Sequence, residues 1–83
     1  MSKYTVKPPR IGEVLEHTRW YLGDIGRREA KADIEAVFAN TESEFGLIFG
    51  PRTWEDISLD EDRLADPPGP EFRALRCEAR VVN

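Results

Sequence analysis

The sequence contains a single cysteine, Cys77, which excludes two common ways of stabilising a small domain. One thiol cannot form an intramolecular disulfide, and it cannot by itself build a cysteine-rich zinc site. The lack of a disulfide framework is typical of a reducing compartment, so we expect a cytoplasmic protein. No run approaches the roughly 18 apolar residues of a membrane span, and no apolar leader follows Met1, so we expect no membrane association and a chain intact from Met1.

Positive charge is also scarce. The chain has 12 Lys and Arg against 16 Asp and Glu, a formal net charge of −4. Met1 to Asn40 carries seven basic and six acidic residues, whereas Thr41 to Asn83 carries five and ten. Binding to a polyanion requires clustered Lys and Arg that release counterions from it. The composition therefore disfavours direct binding to DNA or RNA.

The chain is short enough to limit what it can contain. Its 83 residues predict a single domain, 1–83, in which nearly every large apolar residue is needed for the core. Little apolar surface remains for a deep pocket, so we expect no cofactor. Self-association as a homodimer would help to stabilise a domain of this size.

The residues that carry chemistry are few and predict no catalytic or metal site. Only His17 and Cys77 can supply an imidazole base and a thiol nucleophile, and nothing in the sequence indicates that they meet. Asp56, Ser58 and Asp60 have the spacing that begins a calcium-binding EF-hand loop. However, Glu61 stands where that loop needs glycine, and its last position lacks the required glutamate. We therefore expect a protein that is not an enzyme and holds no metal.

Residues Pro9 to Gly23 have the clearest helical pattern in the chain. Ile11, Val14, Leu15, Thr18 and Leu22 recur at the spacing of one helical stripe, and Gly23 follows where a left-handed cap is expected. In such a helix Trp20 lies about 180° from the centre of the stripe. The pattern predicts a first helix that buries one face and presents a tryptophan on the other.

Arg27 to Ala39 is predicted to be a second helix, with Ala30, Ile34, Val37 and Phe38 on one side. A strand is the competing interpretation, because Ala30, Ile34 and Phe38 also belong to a strict alternation. Four alanines and two glutamates favour the helix. The alternative turns Arg27 to Phe49 into a hairpin and gives a sheet of four strands.

The remaining segments predict strands, one short helix and a loop. Alternation or apolar composition indicates strands at Lys3–Lys7, Phe45–Phe49 and Glu71–Val82. Helix-start spacings at Thr53 and Ser58 predict a short acidic helix from Trp54 or Leu59 to Ala65, followed by a proline-rich loop, Asp66–Pro70. The predicted fold is α+β: a small two-layer domain with an antiparallel sheet of three to four strands against two helices and the acidic helix at its rim.

The predicted function depends on the outward tryptophan. Tryptophan is enriched at the centres of protein interfaces because it removes a large area from water at little entropic cost. We expect a small non-enzymatic protein-binding module, an accessory subunit or inhibitor, that contacts a protein partner through Trp20, Tyr21, Arg19, Arg27 and Arg28. The competing interpretation is that Trp20 belongs to the domain's own core.

The alternative function depends on an acidic run in the second half of the chain. Its members are Glu55, Asp56, Asp60, Glu61, Asp62 and Asp66. Such a row of carboxylates can imitate the phosphates of a nucleic acid and block a nucleic-acid-binding protein, as anti-defence inhibitors do. The same run can equally be a solvated face that keeps the protein soluble.

Overall fold

The computed structural model describes residues 8–57, 69 and 71–83. In chain order its elements are β1 (Val14–Tyr21), α1 (Gly23–Phe45), β2 (Thr53–Ile57) and β3 (Arg73–Arg80). The strand order is β1-β3-β2, and β3 pairs antiparallel with both neighbours. The α+β class with an antiparallel sheet is therefore confirmed. The described residues contain one α-helix and three strands, so the predicted two helices with three to four strands are not confirmed.

The core lies between α1 and one face of the sheet. The helix buries Ala30, Ile34 and Phe38, which recur every four residues and so lie on one side of it. Alternate residues of β3, including Leu75 and Cys77, meet them from the sheet. Burial of this single interface is what holds the two layers together.

The predicted first helix, Pro9–Gly23, is wrong, because Val14–Tyr21 forms strand β1. All eight of its residues pair with β3, from Val14 opposite Arg80 to Tyr21 opposite Arg73. The strand is rich in β-branched and aromatic residues, which fit a pleated surface. Gly23 does not cap a preceding helix, and instead begins α1 with a φ of 69°.

Helix α1 confirms the preferred interpretation of Arg27–Ala39 and extends it at both ends. The carboxylate of Asp24 lies in the first turn, where it interacts favourably with the positive end of the helix dipole. Gly46 caps the helix after Phe45; its φ of 64° is left-handed, and its N–H donates to the carbonyl of Glu42. The hairpin alternative, and with it the four-stranded sheet built on it, is therefore wrong.

The predicted central strand Phe45–Phe49 is wrong as well. Phe45 is the last residue of α1, and Phe49 forms only an isolated bridge with Val81. The backbone N–H of Phe49 donates to a carboxylate oxygen of Glu42 at 2.8 Å, so the segment turns back against the helix. Leu47 and Phe49 are buried in the core, whereas Ile48 between them is 51% exposed.

In the second half of the chain, the structure confirms one predicted strand. Strand β3 confirms the core of the predicted Glu71–Val82, with Leu75, Cys77 and Ala79 buried on one face. A helix beginning at Trp54 is wrong, because Trp54 lies in β2. The version of that helix beginning at Leu59, the strand Lys3–Lys7 and all of the loop Asp66–Pro70 except Gly69 lie outside the described residues.

Candidate functional site

The two faces of the sheet have different surroundings, and strand alternation assigns each side chain to one of them. On β1 the odd-numbered Leu15 and Tyr21 pack on the core below α1. The even-numbered residues of β1 and β3, together with the odd-numbered residues of β2, point to the side without the helix. We call this side the open face.

The predicted contact residues do not form one surface. Trp20 lies opposite Ala74 on the open face, whereas Tyr21 turns to the helix side. The Arg19 guanidinium donates to the carbonyl of Thr18 at 3.3 Å. Arg27 is engaged in an ion pair within the chain, and Arg28 is exposed on α1.

Tyr21 and Arg27 both bind Asp56 and thereby join three elements. The Tyr21 hydroxyl donates to Asp56 Oδ1 at 2.8 Å, and Arg27 donates to both carboxylate oxygens at 3.0 Å. The hydrogen bond from Arg27 lowers the pKa of Asp56, and the one from Tyr21 acts in the same direction. Burial raises the pKa of Tyr21, and its hydrogen bond to the Asp56 carboxylate raises it further. This contact fixes the start of α1 to the end of β1 and to β2.

Replacing Asp56 by alanine is expected to lower the melting temperature by a few degrees at neutral pH. The loss is modest because the side chains of Arg27 and Asp56 are 40% and 48% exposed and solvent screens their attraction. Since the pKa of Asp56 is lowered in the folded state, its contribution is present above its ordinary pKa of about 3.9 and is lost below it. Thermal unfolding followed by circular dichroism measures both effects.

The matched control is Asp33→Ala, which removes an exposed carboxylate on α1. It is expected to leave the melting temperature nearly unchanged. Equal losses for the two variants would contradict a specific role for the Asp56 contact.

His17 and Cys77 meet in the fold, which the sequence did not indicate. They are directly opposite each other in the β1–β3 register, on the side covered by α1. The His17 ring packs edge-on against Phe38 at 4.9 Å between centroids, and its Nε2 is buried without a hydrogen-bond partner among the described residues. Burial lowers the pKa of His17, and Arg19 lowers it further.

Cys77 has the features of a structural thiol rather than a nucleophile. Its side chain is fully buried, and burial, reinforced by Glu35, raises its pKa. Reactive thiols need a lowered pKa and access to solvent. The pair is therefore best described as part of the core.

We expect stability to fall as the pH drops from 7.5 towards 5, because His17 is neutral in the folded state. The pKa of His17 is lowered from its ordinary value of about 6.5, so the unfolded chain takes up a proton first. The contribution is complete above that ordinary value and declines below it. Urea unfolding across this range measures the slope, and His17→Gln should flatten it. An identical slope in the variant would contradict the assignment.

At the centre of the open face, the Arg76 guanidinium lies among acidic side chains of the described residues. Arg76 forms hydrogen bonds with Glu16 and, at 2.6 Å, with Glu78, and its Nη1 lies 3.6 Å from Glu55. Burial acts to lower the pKa of Arg76, but its bonds to Glu78 and Glu16 outweigh this and raise it. Among the described residues, three carboxylates therefore lie around this guanidinium.

The end of the open face next to Trp20 is already covered. Ala74 and Ile57, which are paired partners on this face, are 0% and 2% exposed. Trp20, opposite Ala74 on the other side, is half-buried. Trp20 is therefore not the exposed side chain on the outer face of a helix that the sequence predicted, but a half-buried residue of a strand.

Exposed apolar side chains of the open face lie at its other end, around a cleft of about 300 Å³. Val14 and Val82 line it and are 44% and 51% exposed. Val82 approaches the chain closely at Gly50, where an added Cβ would lie 3.0 Å from it. The lining residues are Val14, Gly50, Pro51, Thr53, Glu78, Ala79, Arg80 and Val82.

Arg80 is the polar feature of this cleft. One of its nitrogens donates to the carbonyl of Gly12 at 2.9 Å, which holds the guanidinium at the edge of the cleft. Among the described residues it forms no ion pair with a carboxylate. Arg80 and Val82 were not among the predicted site residues, although the adjacent valines 81 and 82 break the alternation and so indicate an apolar residue on the outer face.

The described part of the acidic run is divided between the faces of the sheet. Glu55 lies on the open face near Arg76, whereas Asp56 lies on the helix side against Arg27. Both therefore have a guanidinium beside them. The other members, Asp60, Glu61, Asp62 and Asp66, lie outside the described residues.

Comparison with models of protein families, with curated proteins and with solved structures finds no match for this chain. Within residues 8–57, 69 and 71–83, no group of three or more His, Cys, Asp or Glu side chains is placed to hold a metal ion. In the same part of the chain, no helix is both long enough and apolar enough to cross a membrane.

Proposed function

We propose that this protein is a small non-enzymatic protein-binding module, an accessory subunit or inhibitor, that receives a segment of its partner in the cleft beside Val14, Val82 and Arg80. The observation that carries the proposal is the cleft itself, because it combines exposed apolar walls with an arginine that has no carboxylate partner among the described residues. Exposed apolar surface rimmed by polar groups is typical of protein interaction sites.

The size of the cleft favours a side chain over a cofactor. Its volume of about 300 Å³ is at the lower limit of small-molecule pockets, which range over roughly 300–1,000 Å³. An apolar side chain entering it would cover Val14 and Val82. The neighbouring Arg80 offers further N–H donors in a planar fork that matches a carboxylate. The partner segment is therefore one that carries a carboxylate next to a large apolar side chain.

The test uses three hexapeptides that alternate leucine with aspartate, asparagine or lysine. Binding is followed by the amide NMR shifts of the isotopically labelled protein. We expect the leucine–aspartate peptide to bind more tightly than the other two and to shift the amides of Val14 and Val82. Equal binding of the aspartate and asparagine peptides, or no binding of any peptide, would contradict the proposal.

Variants of the protein separate the cleft from the residues first suggested by the sequence. Arg80→Gln should weaken the aspartate peptide by about tenfold, since a charge-assisted bond contributes roughly 1.5–3 kcal/mol and this site is partly exposed to solvent. Arg28→Gln, which removes an exposed arginine on α1, is the matched control and should have no effect. If Trp20→Ala abolished binding and Arg80→Gln did not, the contact would lie at the other end of the open face.

A second candidate is the acidic inhibitor of a nucleic-acid-binding protein. It is supported by the six carboxylates between Glu55 and Asp66 in the sequence. Binding through these charges should weaken steeply as ionic strength rises, whereas an apolar contact should not. Displacement of DNA from a non-specific DNA-binding protein, measured with and without neutral replacements of Asp60, Glu61 and Asp62, tests this candidate.

A further inference from the structure

Among the strands that the structure describes, β1 has a neighbour on one side only. It pairs with β3, and among the described residues no other strand pairs with it. An edge strand presents a row of backbone N–H and C=O groups to which another strand can add. The hydrogen bonds at the end of the β1–β3 ladder identify the backbone groups of β1 that point outward.

The bonds near Val81 identify the outward groups of β1. Val81 accepts from the N–H of Gly12 at 2.8 Å and donates to the carbonyl of Glu13 at 2.9 Å, so odd-numbered residues at this end of the sheet bond towards β1. On the side of β3 away from β1, the carbonyl of Arg80 accepts a hydrogen bond from the N–H of Gly50. Because antiparallel ladders alternate strictly, the backbone groups of Val14, Glu16, Thr18 and Trp20 point outward from the sheet. The bond from the Arg19 side chain to the Thr18 carbonyl agrees with this assignment.

We propose that a second copy of this chain pairs with the β1 edge, antiparallel and about a two-fold axis through His17, to form a continuous six-stranded sheet. An axis perpendicular to the sheet places the two open faces on the same side, and each β1 strand then contacts the same surface of the other. This inference uses the edge of β1 and does not depend on a peptide-binding role for the cleft.

The side chains of β1 favour this register. With the axis at His17, Val14 of one copy lies opposite Trp20 of the other, and Glu16 lies opposite Thr18. Pairs between aromatic and β-branched residues stabilise antiparallel strands, and no acidic residues face each other. The two His17 rings meet at the axis, where burial and Arg19 keep the imidazole neutral at neutral pH.

The adjacent registers are less favourable. An axis at Glu16 places two carboxylates directly opposite each other, which is destabilising. An axis at Thr18 places Glu16 opposite Trp20 and His17 opposite Arg19, so that the Val14–Trp20 pair is lost. The charge pattern of the strand therefore selects a second copy in one particular register.

The first experiment is sedimentation velocity at neutral pH over a wide range of concentrations. We expect a monomer–dimer equilibrium that Thr18→Pro weakens by at least about tenfold, because it removes an outward N–H donor at two symmetric positions. Thr18→Val, which keeps that N–H, is the matched control and should change the dissociation constant by less than about threefold. A monomer at every concentration, or a dimer unaffected by the proline, would overturn the proposal.

The second experiment tests the register without relying on the proline variant. When the single variants Val14→Cys and Trp20→Cys are mixed under mild oxidation, we expect a cross-linked dimer, because opposed residues lie within the Cα separation of about 4.4–6.8 Å that a disulfide spans. Thr18→Cys alone should not cross-link. A dimer that cross-links through Thr18→Cys instead would overturn the register.

The competing occupant of the edge is the chain's own N-terminal segment, residues 1–7. A chain lacking these residues separates the two cases. The proposal predicts the same dissociation constant with and without them. Dimerisation that occurs only after their removal would overturn it for the intact chain. A monomeric result would leave peptide binding at the cleft open to its own test, so the two proposals can fail separately.

Discussion

Phe38→Ala is expected to reduce the free energy of unfolding by about 3–5 kcal/mol, the range for a large buried aromatic residue. Phe38 is 0% exposed and lies where the two layers meet. Its ring packs edge-on against His17 and Phe49, each at 4.9 Å between centroids, and the Arg52 guanidinium lies over it at 5.0 Å. Alanine would leave a cavity facing all three side chains. Urea unfolding measures the loss.

The size of this effect matters because small domains have little stability to lose. A total of about 5–15 kcal/mol is usual, so the variant should be largely unfolded or strongly destabilised at physiological temperature. Phe45→Ala, on the same helix, removes the same atoms from a half-buried position and is the matched control. If both variants lost equal stability, Phe38 would not be the centre of the core.

The elements that the sequence predicted correctly are those in which the local pattern and the tertiary contacts agree. From Leu75 to Arg80 in β3, the alternation of apolar and charged residues corresponds to one buried and one outer face. In α1, alanine and glutamate favour a helix locally, while Ile34 and Phe38 are spaced to bury one side of it. The secondary structure of these two elements can therefore be predicted without knowing their contacts with distant parts of the chain.

Strand β1 shows why the rest could not be predicted. Its apolar residues fit a helical stripe, but the two ends of that stripe, Ile11 and Leu22, are exposed in the structure. What determines its conformation is pairing with β3, which lies more than 50 residues further along the chain, as in Trp20 opposite Ala74. Strand formation depends on such neighbours more than helix formation does. The local pattern alone therefore indicated the wrong element.

The candidate site could not be predicted for the same reason. Its cleft is formed by β1, the Gly50–Thr53 segment and the end of β3, which meet only after the sheet has assembled. The sequence did indicate an aromatic residue turned away from the core, and Trp20 does lie on the open face. It does so because strand residues alternate, not because a helix has two sides.

A pair of proline variants in β1 distinguishes the strand from the helix that the sequence favoured. His17→Pro removes an N–H that the ladder alternation directs to β3, and we expect it to cost about 3 kcal/mol or more beyond His17→Ala. Thr18→Pro removes an outward N–H, which an edge strand tolerates, and should cost much less relative to Thr18→Ala. The alanine variants remove the contribution of each side chain, so each difference reports on the backbone.

The comparison is decisive because the two residues are adjacent. In a helix spanning Pro9–Gly23 both positions are interior, and proline at either would remove a backbone hydrogen bond and clash with the preceding turn. In β1 they alternate between a paired and an unpaired side, so proline should strongly destabilise the domain at His17 and cost much less at Thr18. Urea unfolding of the four variants gives both differences. Equal costs at the two positions would contradict the β1–β3 register, and with it the outward groups on which dimerisation through this edge depends.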